Sequence, residues 1–209
     1  VVKILIRGGT GFIGHSLAKQ LLSAGHEIHV VGRSASPPES KNFERIAYHT
    51  HDLSAQEISP SVISGTDFVF HIAAKAGVGG SYSSYYAANY QATVNLLKSC
   101  LDCRIPRLIF TSSPSVVFSR SSIRGGDESL AYVKSNLSSY ATTKALAERA
   151  VLEAHSPGTF QALALRPHLV WGEGDPHLLP QVIKRHKAGK LRIVGNGENR
   201  VDLTHIDNV

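Results

Sequence analysis

A short apolar run, VKILI (2–6), passes directly into GGTGFIG, and no other feature limits so strongly what this chain can fold into. An uninterrupted apolar strand is buried on both faces, as in a parallel sheet, whereas a surface strand alternates apolar and polar residues. Glycines 8, 11 and 14 follow with the spacing G-x-x-G-x-x-G, and FIGHSLAKQLLSA then reads as a helix stopped by Gly25. Glycines in that setting let the backbone approach a diphosphate, while the next helix offers the anion its positive end. Gly14 lets that helix pack closely on the sheet. A lone glycine triplet could be a structural turn. Its position between strand and helix favours a dinucleotide site formed by Gly8, Thr10, Gly11, Phe12, Ile13 and Gly14.

The rest of the chain repeats this alternation. EIHVV (27–31), a strand within IAYHTHDL, DFVFHIAA (67–74), RLIFTSS (107–113) and FQALALRP (160–167) read as strands. YYAANYQATVNLLKSCL and TTKALAERAVLEAH read as helices, and GRSASPPESKNFER as a polar surface connection. The fold class expected is α/β: a doubly wound parallel sheet with helices on both faces. After Arg166 the character changes to a loop, WGEGDPHLLP, a helix, LPQVIKRHKAGK, and short strand and turn signals to the end. We therefore expect a nucleotide-binding domain over 1–170 and, over 171–209, the incomplete start of a smaller substrate-binding part. The absent initiator methionine and the abrupt end read as a fragment.

Two positions bear on the kind of dinucleotide. NAD sites place an acid at the end of the second strand to accept from the ribose hydroxyls. Here that position is Gly32, with Arg33 beside it. A carboxylate would repel a 2′-phosphate, whereas an arginine binds it with charge-assisted hydrogen bonds. NADP(H) is therefore favoured, with NAD(H) second; the bland alternative is an Arg33 that points into solvent. Asp52 is a partner for the adenine amino group or a helix cap.

The chemistry is expected at YATTK (140–144). On a helix, Tyr140 and Lys144 share one face. A nearby ammonium favours phenolate, which would lower the Tyr140 pKa and suit proton transfer.

Composition removes other classes. Of 209 residues, 18% are charged, and no apolar run reaches the roughly 18 residues that span a bilayer. No secretory signal opens the sequence, so a cytoplasmic protein is the default. Cys100 and Cys103 fall near the end of a helix, where structural thiols are expected, not a redox pair. No histidine spacing suggests a metal. The net charge of +6 is dispersed apart from Lys184, Arg185, Lys187, Lys190 and Arg192, read as a solvated helix face. No aromatic-interleaved basic stripe points to nucleic acid.

GGTGFIG, HIAA (71–74), TSS (111–113), YATTK and LRP (165–167) stand in one order that closely resembles the extended short-chain dehydrogenase/reductases. TSSPSVVF, DESL, TKALAERAV, LRPHLVWGEGD and VDLTHIDNV are most similar to the 3β-hydroxysteroid dehydrogenase/isomerase branch, which includes bacterial 2-alkyl-3-oxoalkanoate reductases. The resemblance implies a Rossmann-type fold and an NADP(H)-dependent oxidoreductase for a 3-oxo/3-hydroxy group on a bulky lipophilic substrate. It makes Tyr140 the acid/base and has Lys144 lower its pKa and bind the nicotinamide ribose. Ser113, with Ser112 in reserve, would hold the substrate oxygen, and Asn89 would hold water and backbone in place. It adds Leu53, Ala73 and Ala74 to the cofactor contacts and assigns Pro167, His168 and Leu169 to the carboxamide. AKAGVGGSYSSYY (74–86) would line the entrance. A homodimer through helices around 86–101 and 140–155 is a further implication.

Three departures stand out. Arg7 replaces a small or hydroxyl residue and would touch phosphate or face solvent. Ala92 replaces a common glycine. Val117 and Phe118 replace the Tyr-Gly of nucleotide-sugar enzymes, which favours the lipid-like branch. Two alternatives stay open: a nucleotide-sugar epimerase or dehydratase, and a non-catalytic NADP-binding sensor or scaffold.

Overall fold

A computed structural model of the chain describes all residues except 40, 42, 78, 120 and 135–137. Its strands are β1 (Lys3–Arg7), β2 (Glu27–Gly32), β3 (Ala47–Thr50), β4 (Phe68–His71), β5 (Arg107–Thr111), β6 (Gln161–Leu165), β7 (Val170–Trp171) and β8 (Thr204–His205). The α-helices are α1 (Phe12–Ser23), α2 (Pro60–Ile63), α3 (Tyr82–Tyr85), α4 (Ala92–Asp102), α5 (Ser139–Glu153) and α6 (Leu178–Lys187). The first six strands make one sheet, ordered β3-β2-β1-β4-β5-β6, with every neighbouring pair parallel. Each strand expected from the sequence is present in that sheet.

The even registers decide which residues share a layer. Leu5 lies opposite Val69, and Val69 opposite Leu108. One layer nearer the C-terminal ends, Arg7 lies opposite His71, and His71 opposite Phe110. Side chains alternate along a strand, so both layers point to one face. There Leu5, Val69, Leu108 and Phe110 pack with Leu96, Leu97 and Cys100 of α4 and Ala147 and Val151 of α5. On the opposite face Ile4, Ile6, Ile28 and Val30 pack against Ala18, Leu17 and Leu21 of α1. Each such fully buried aliphatic or aromatic side chain is worth about 1.5–3 kcal/mol of transfer free energy. β1 has β2 on one side and β4 on the other, so the strand order reverses at its C-terminal end, where a crevice forms in sheets of this kind.

The chain separates into two compact units, Val1–Arg166 and Pro167–Val209. In the second, β7 pairs with β8, and Trp171 meets His205 edge to face at 4.8 Å. The Asp175 carboxylate accepts from the backbone N–H groups of His177, Leu178 and Leu179 and so caps α6. Lys184, Arg185 and Lys187 of the basic cluster lie in the last turn of α6, where the negative end of the helix dipole favours them. Among the described residues no helix is long and apolar enough to cross a membrane.

Candidate active site

The loop between β1 and α1 is shaped by side chains it lacks. Gly8 has φ of 99°, and a Cβ there would lie 2.6 Å from the backbone nitrogen of Ala73. A Cβ on Gly9 would overlap the side chain of Val30, and one on Gly14 the carbonyl oxygen of Gly8. Gly9 lies outside the spaced triplet, and only this contact with β2 reveals its constraint. Gly11 is the N-cap of α1, no side chain caps the helix, and no acid occupies its first turn. Its leading N–H groups therefore await an anion. The cradle fits a dinucleotide's diphosphate, with Gly8, Thr10, Gly11, Phe12 and Ile13 positioned to hold it.

At the end of β2, Gly32 leaves room for the Tyr48 hydroxyl, which donates to the carbonyl of Ser34 at 2.9 Å. Arg33 is exposed just beyond. Asp52, also exposed, accepts from the Ser54 amide at 3.0 Å and hydroxyl at 2.7 Å, which hold its carboxyl below the usual range. The Leu53 side chain is core, 2% exposed, and its carbonyl accepts from Asn95 Nδ2 at 2.7 Å. Ala73 closes against Gly8, and Ala74 is exposed.

The sequence before α5 starts the helix locally: the Ser138 hydroxyl accepts from Ala141 N, and Tyr140 and Lys144 follow one turn apart. The Ser113 hydroxyl lies close enough to that of Tyr140 to draw its pKa down against burial. Ser113 also accepts from Ser115 N at 3.2 Å and Ser115 Oγ at 2.9 Å. Ser112 is buried, and its hydroxyl finds no hydrogen-bond partner among the described residues. Lys144 is 1% exposed, donates to the Thr111 carbonyl at 2.6 Å, and lies 3.9 Å from the centroid of the Phe110 ring. Burial, then the charge of Arg7, lower its pKa to about 7, while Glu148 opposes them.

These surroundings correct one expectation. Burial raises the Tyr140 pKa, and the group that assists its phenolate is the Ser113 hydroxyl, not Lys144. The lysine's own charge is suppressed by the same burial.

Asn89 sits in a π-helical turn, Tyr86–Gln91, and is 1% exposed. Its Oδ1 accepts from Lys75 N at 2.7 Å, and its Nδ2 donates to Lys75 O at 3.1 Å and Thr143 Oγ1 at 3.1 Å. It thereby ties the segment after HIAA to α5. Within 74–86 the Tyr85 hydroxyl donates to the carbonyls of Gly77 and Gly79, so this tyrosine ties down the loop instead of forming its wall; Val78 lies outside the described residues.

One expectation for Arg7 is overturned, and Glu148 escaped the sequence reading. Arg7 does not face solvent: it is 8% exposed and donates to Ala73 O at 2.9 Å and Ala88 O at 3.4 Å. Glu148, 1% exposed, receives Arg166 Nε and Nη2 and the Tyr132 hydroxyl, the last at 2.9 Å. Although burial pushes Glu148 up, these bonds keep it below the ordinary carboxylate range. Its signal was present, since Tyr140, Lys144 and Glu148 are spaced by four. Pro167, His168 and Leu169 belong to the second unit, where His168 Nδ1 hydrogen-bonds Asp202 O at 2.7 Å and Leu169 has φ of 41°.

The glycine cradle, the uncapped helix and the Ser113–Tyr140–Lys144 arrangement coincide with a match of residues 5–209 to the 3-beta hydroxysteroid dehydrogenase/isomerase family. The chain belongs to that family. Among its members, a 2-alkyl-3-oxoalkanoate reductase of Stenotrophomonas maltophilia is 39% identical over 99% of this chain and 62% of its own length. A sterol-4-alpha-carboxylate 3-dehydrogenase (decarboxylating) of Bos taurus is 36% identical over 97% of this chain and 56% of its own. The chain thus spans somewhat over half the length of these family relatives. Among solved structures, the UDP-N-acetylglucosamine 4-epimerase of Methanobrevibacter ruminantium superposes with a TM-score of 0.81 at 26% identity, covering 98% of this chain and 69% of that one. MoeE5, in complex with UDP-glucuronic acid and NAD, gives 0.80 at 27% identity, covering 98% and 68%. The chain thus shares the doubly wound architecture of these solved structures.

Proposed function

We propose that this chain is the cofactor-binding and catalytic part of an NADP(H)-dependent oxidoreductase that interconverts a 3-oxo and a 3-hydroxy group on a bulky lipophilic substrate, a 3-oxo acid or sterol-like molecule. The observation that carries the reading is the placement of Tyr140 beside Ser113, with Lys144 one helical turn further on. Bound NADPH supplies the hydride. With its pKa raised, Tyr140 is protonated at neutral pH and acts as the acid toward the carbonyl oxygen in reduction. Ser113 orients that oxygen, and Lys144, poised near neutrality, carries a replacement proton toward the tyrosine. Asn89 keeps the neighbouring backbone in register. Pro167, His168 and Leu169 would meet the carboxamide.

Arg33, exposed where an NAD site has an acid, supports NADP(H). Phe118, 55% exposed beyond the Ser113 turn, supports an apolar substrate. The nucleotide-sugar reading draws on the solved epimerase, but Gly32 and Arg33 count against a tightly held NAD. A sensor that no longer catalyses would not need Tyr140, Lys144 and Ser113 together. Residues 1–170 would form the cofactor domain, with 171–209 opening the substrate part. A cytoplasmic location belongs to this reading, as does dimerisation through α4 and α5, where Leu101 and Leu152 are exposed.

Calorimetric titration with NADPH and with NADH, on the wild type and on Arg33→Ala, tests the cofactor assignment. Tighter binding of NADPH, lost in the variant, is expected; a preference for NADH would overturn it. Turnover of 3-oxo acids and sterols by the cofactor-loaded protein tests the chemistry.

A further inference from the structure

Arg7 is a buried cation without a counter-ion. Among the described residues no carboxylate pairs with it, and its nitrogens reach only two backbone carbonyls and the ring of His71, at 3.4 Å. Buried guanidinium groups are ordinarily paired, because desolvation of an unpaired charge is costly. His71 is fully buried and held neutral, well below its usual range, by burial and by the charges of Arg7 and Lys144. It therefore cannot complete the balance. Its Nε2 meets Thr93 Oγ1 at 2.8 Å, and that hydroxyl donates to Asn89 O.

The sheet register carries the argument to the catalytic helix. Arg7, His71 and Phe110 are directly opposite one another on β1, β4 and β5. Adjacent strands lie about 4.8 Å apart, so the layer spans roughly 10 Å. His71 meets Phe110 edge to face at 5.1 Å, and the Lys144 ammonium lies over the other end of the layer, on the Phe110 ring. Arg7 also immediately precedes Gly8, and its guanidinium is anchored to the carbonyl of Ala73, the residue against which Gly8 closes. One buried charge thus adjoins the diphosphate cradle at one side and Lys144 at the other.

We propose that Arg7 is a positioning residue that couples occupation of the glycine loop by a dinucleotide's diphosphate to the protonation of Lys144. The proposal rests on the reading of this loop as the cofactor site. Before binding, Lys144 faces Arg7 from β1 and neutral His71 from β4, with Tyr140 a turn earlier on α5. Among the described residues the acid that acts on it is Glu148, which is committed to Arg166. Arg7 in turn feels the charge of Arg33, which lowers its pKa, and of Asp52, which raises it. A diphosphate beside Arg7 supplies the missing negative charge, relaxes its repulsion of Lys144, and lets the lysine take a proton from solvent. Binding and catalytic charge state are then one linked equilibrium.

The experiment is calorimetry of NADP+ binding at about pH 8, in buffers of different ionisation enthalpy, above the pH at which a lysine of pKa about 7 is half protonated. The slope against buffer enthalpy counts protons taken up. Wild type should take up a substantial fraction of one proton per site. Arg7→Gln should take up several-fold less, because binding then relieves no repulsion of Lys144; Arg7→Lys, which keeps the charge, should retain uptake, and Lys144→Met should show none. Should Arg7→Gln not fold, NMR of lysine-labelled wild type decides: the Lys144 resonance, assigned by its loss in Lys144→Met, must titrate at higher pH with NADP+ than without. Equal uptake in wild type and Arg7→Gln, no uptake in wild type, or an unmoved Lys144 titration overturns the proposal. Protein that takes up protons with NADP+ but reduces no 3-oxo compound would sink the catalytic reading and leave the coupling standing; tight binding without uptake would do the reverse.

Discussion

Lys144 is the residue at which stability and chemistry meet. Its folded pKa, about 7, lies below the roughly 10.4 of an unfolded lysine, so between those values the unfolded chain binds a proton that the folded one does not. Stability therefore rises with pH across that window, and it is lowest where both states are charged. Lys144→Met should flatten this slope and raise the melting temperature at neutral pH, as thermal melts from about pH 6 to 10 would show. Tyr140→Phe should behave differently. It removes the proton donor but no charge, so we expect turnover to fall by about 10²–10⁴-fold with cofactor affinity little changed, read from steady-state kinetics beside calorimetry. The Tyr–Lys spacing was legible because helical periodicity is local. The direction of the Tyr140 shift was not, since burial depends on everything packed around α5.

At the scale of elements, α5 and the π-helical turn do the positioning. α5 presents Tyr140, Lys144 and Glu148 along one face, and Glu148 is the anchor that joins the helix to Arg166 at the end of β6 and to Tyr132 in the preceding loop. Removing one partner of a buried pair leaves an uncompensated charge. Glu148→Gln should therefore cost about 3–5 kcal/mol in urea unfolding, and Tyr132→Phe only about 1 kcal/mol. The π turn inserts one extra residue per hydrogen-bonded turn, a device often found at functional sites. Asn89→Ala should release the Lys75 backbone from both its N–H and C=O clamps, costing about 1–3 kcal/mol, with hydrogen exchange at Lys75 rising. The sequence signalled a helix here, but not its π geometry, because apolar periodicity does not distinguish one wide turn from a regular one.

For the whole molecule, charge is the property that reaches furthest. The net charge of +6, and the cations Arg7 and Arg33 set against Asp52, favour an anionic ligand. The exposed part of that attraction is screened by salt within about 8 Å at physiological ionic strength. Discrimination between NADPH and NADH should accordingly narrow as salt rises, since exposed Arg33 is screened first; paired titrations at low and high salt check this. The six-strand sheet was legible because its strands are buried on both faces and leave near-continuous apolar runs between glycine and proline stops.

The sequence by itself determined the strand–helix alternation, the glycine cradle, and the family to which Tyr140, Lys144 and Ser113 are referred. Each of these is written in neighbouring residues whose spacing obeys a local period. Only the tertiary structure decided that Ser113 lies by Tyr140 while Ser112 is buried, that Gly9 is closed by Val30, and that Arg7 lies buried in register with His71 and Phe110. Those outcomes depend on which distant strand lies alongside and on how much water is excluded from between them. Both are long-range properties of the packed chain, and no window of sequence contains them.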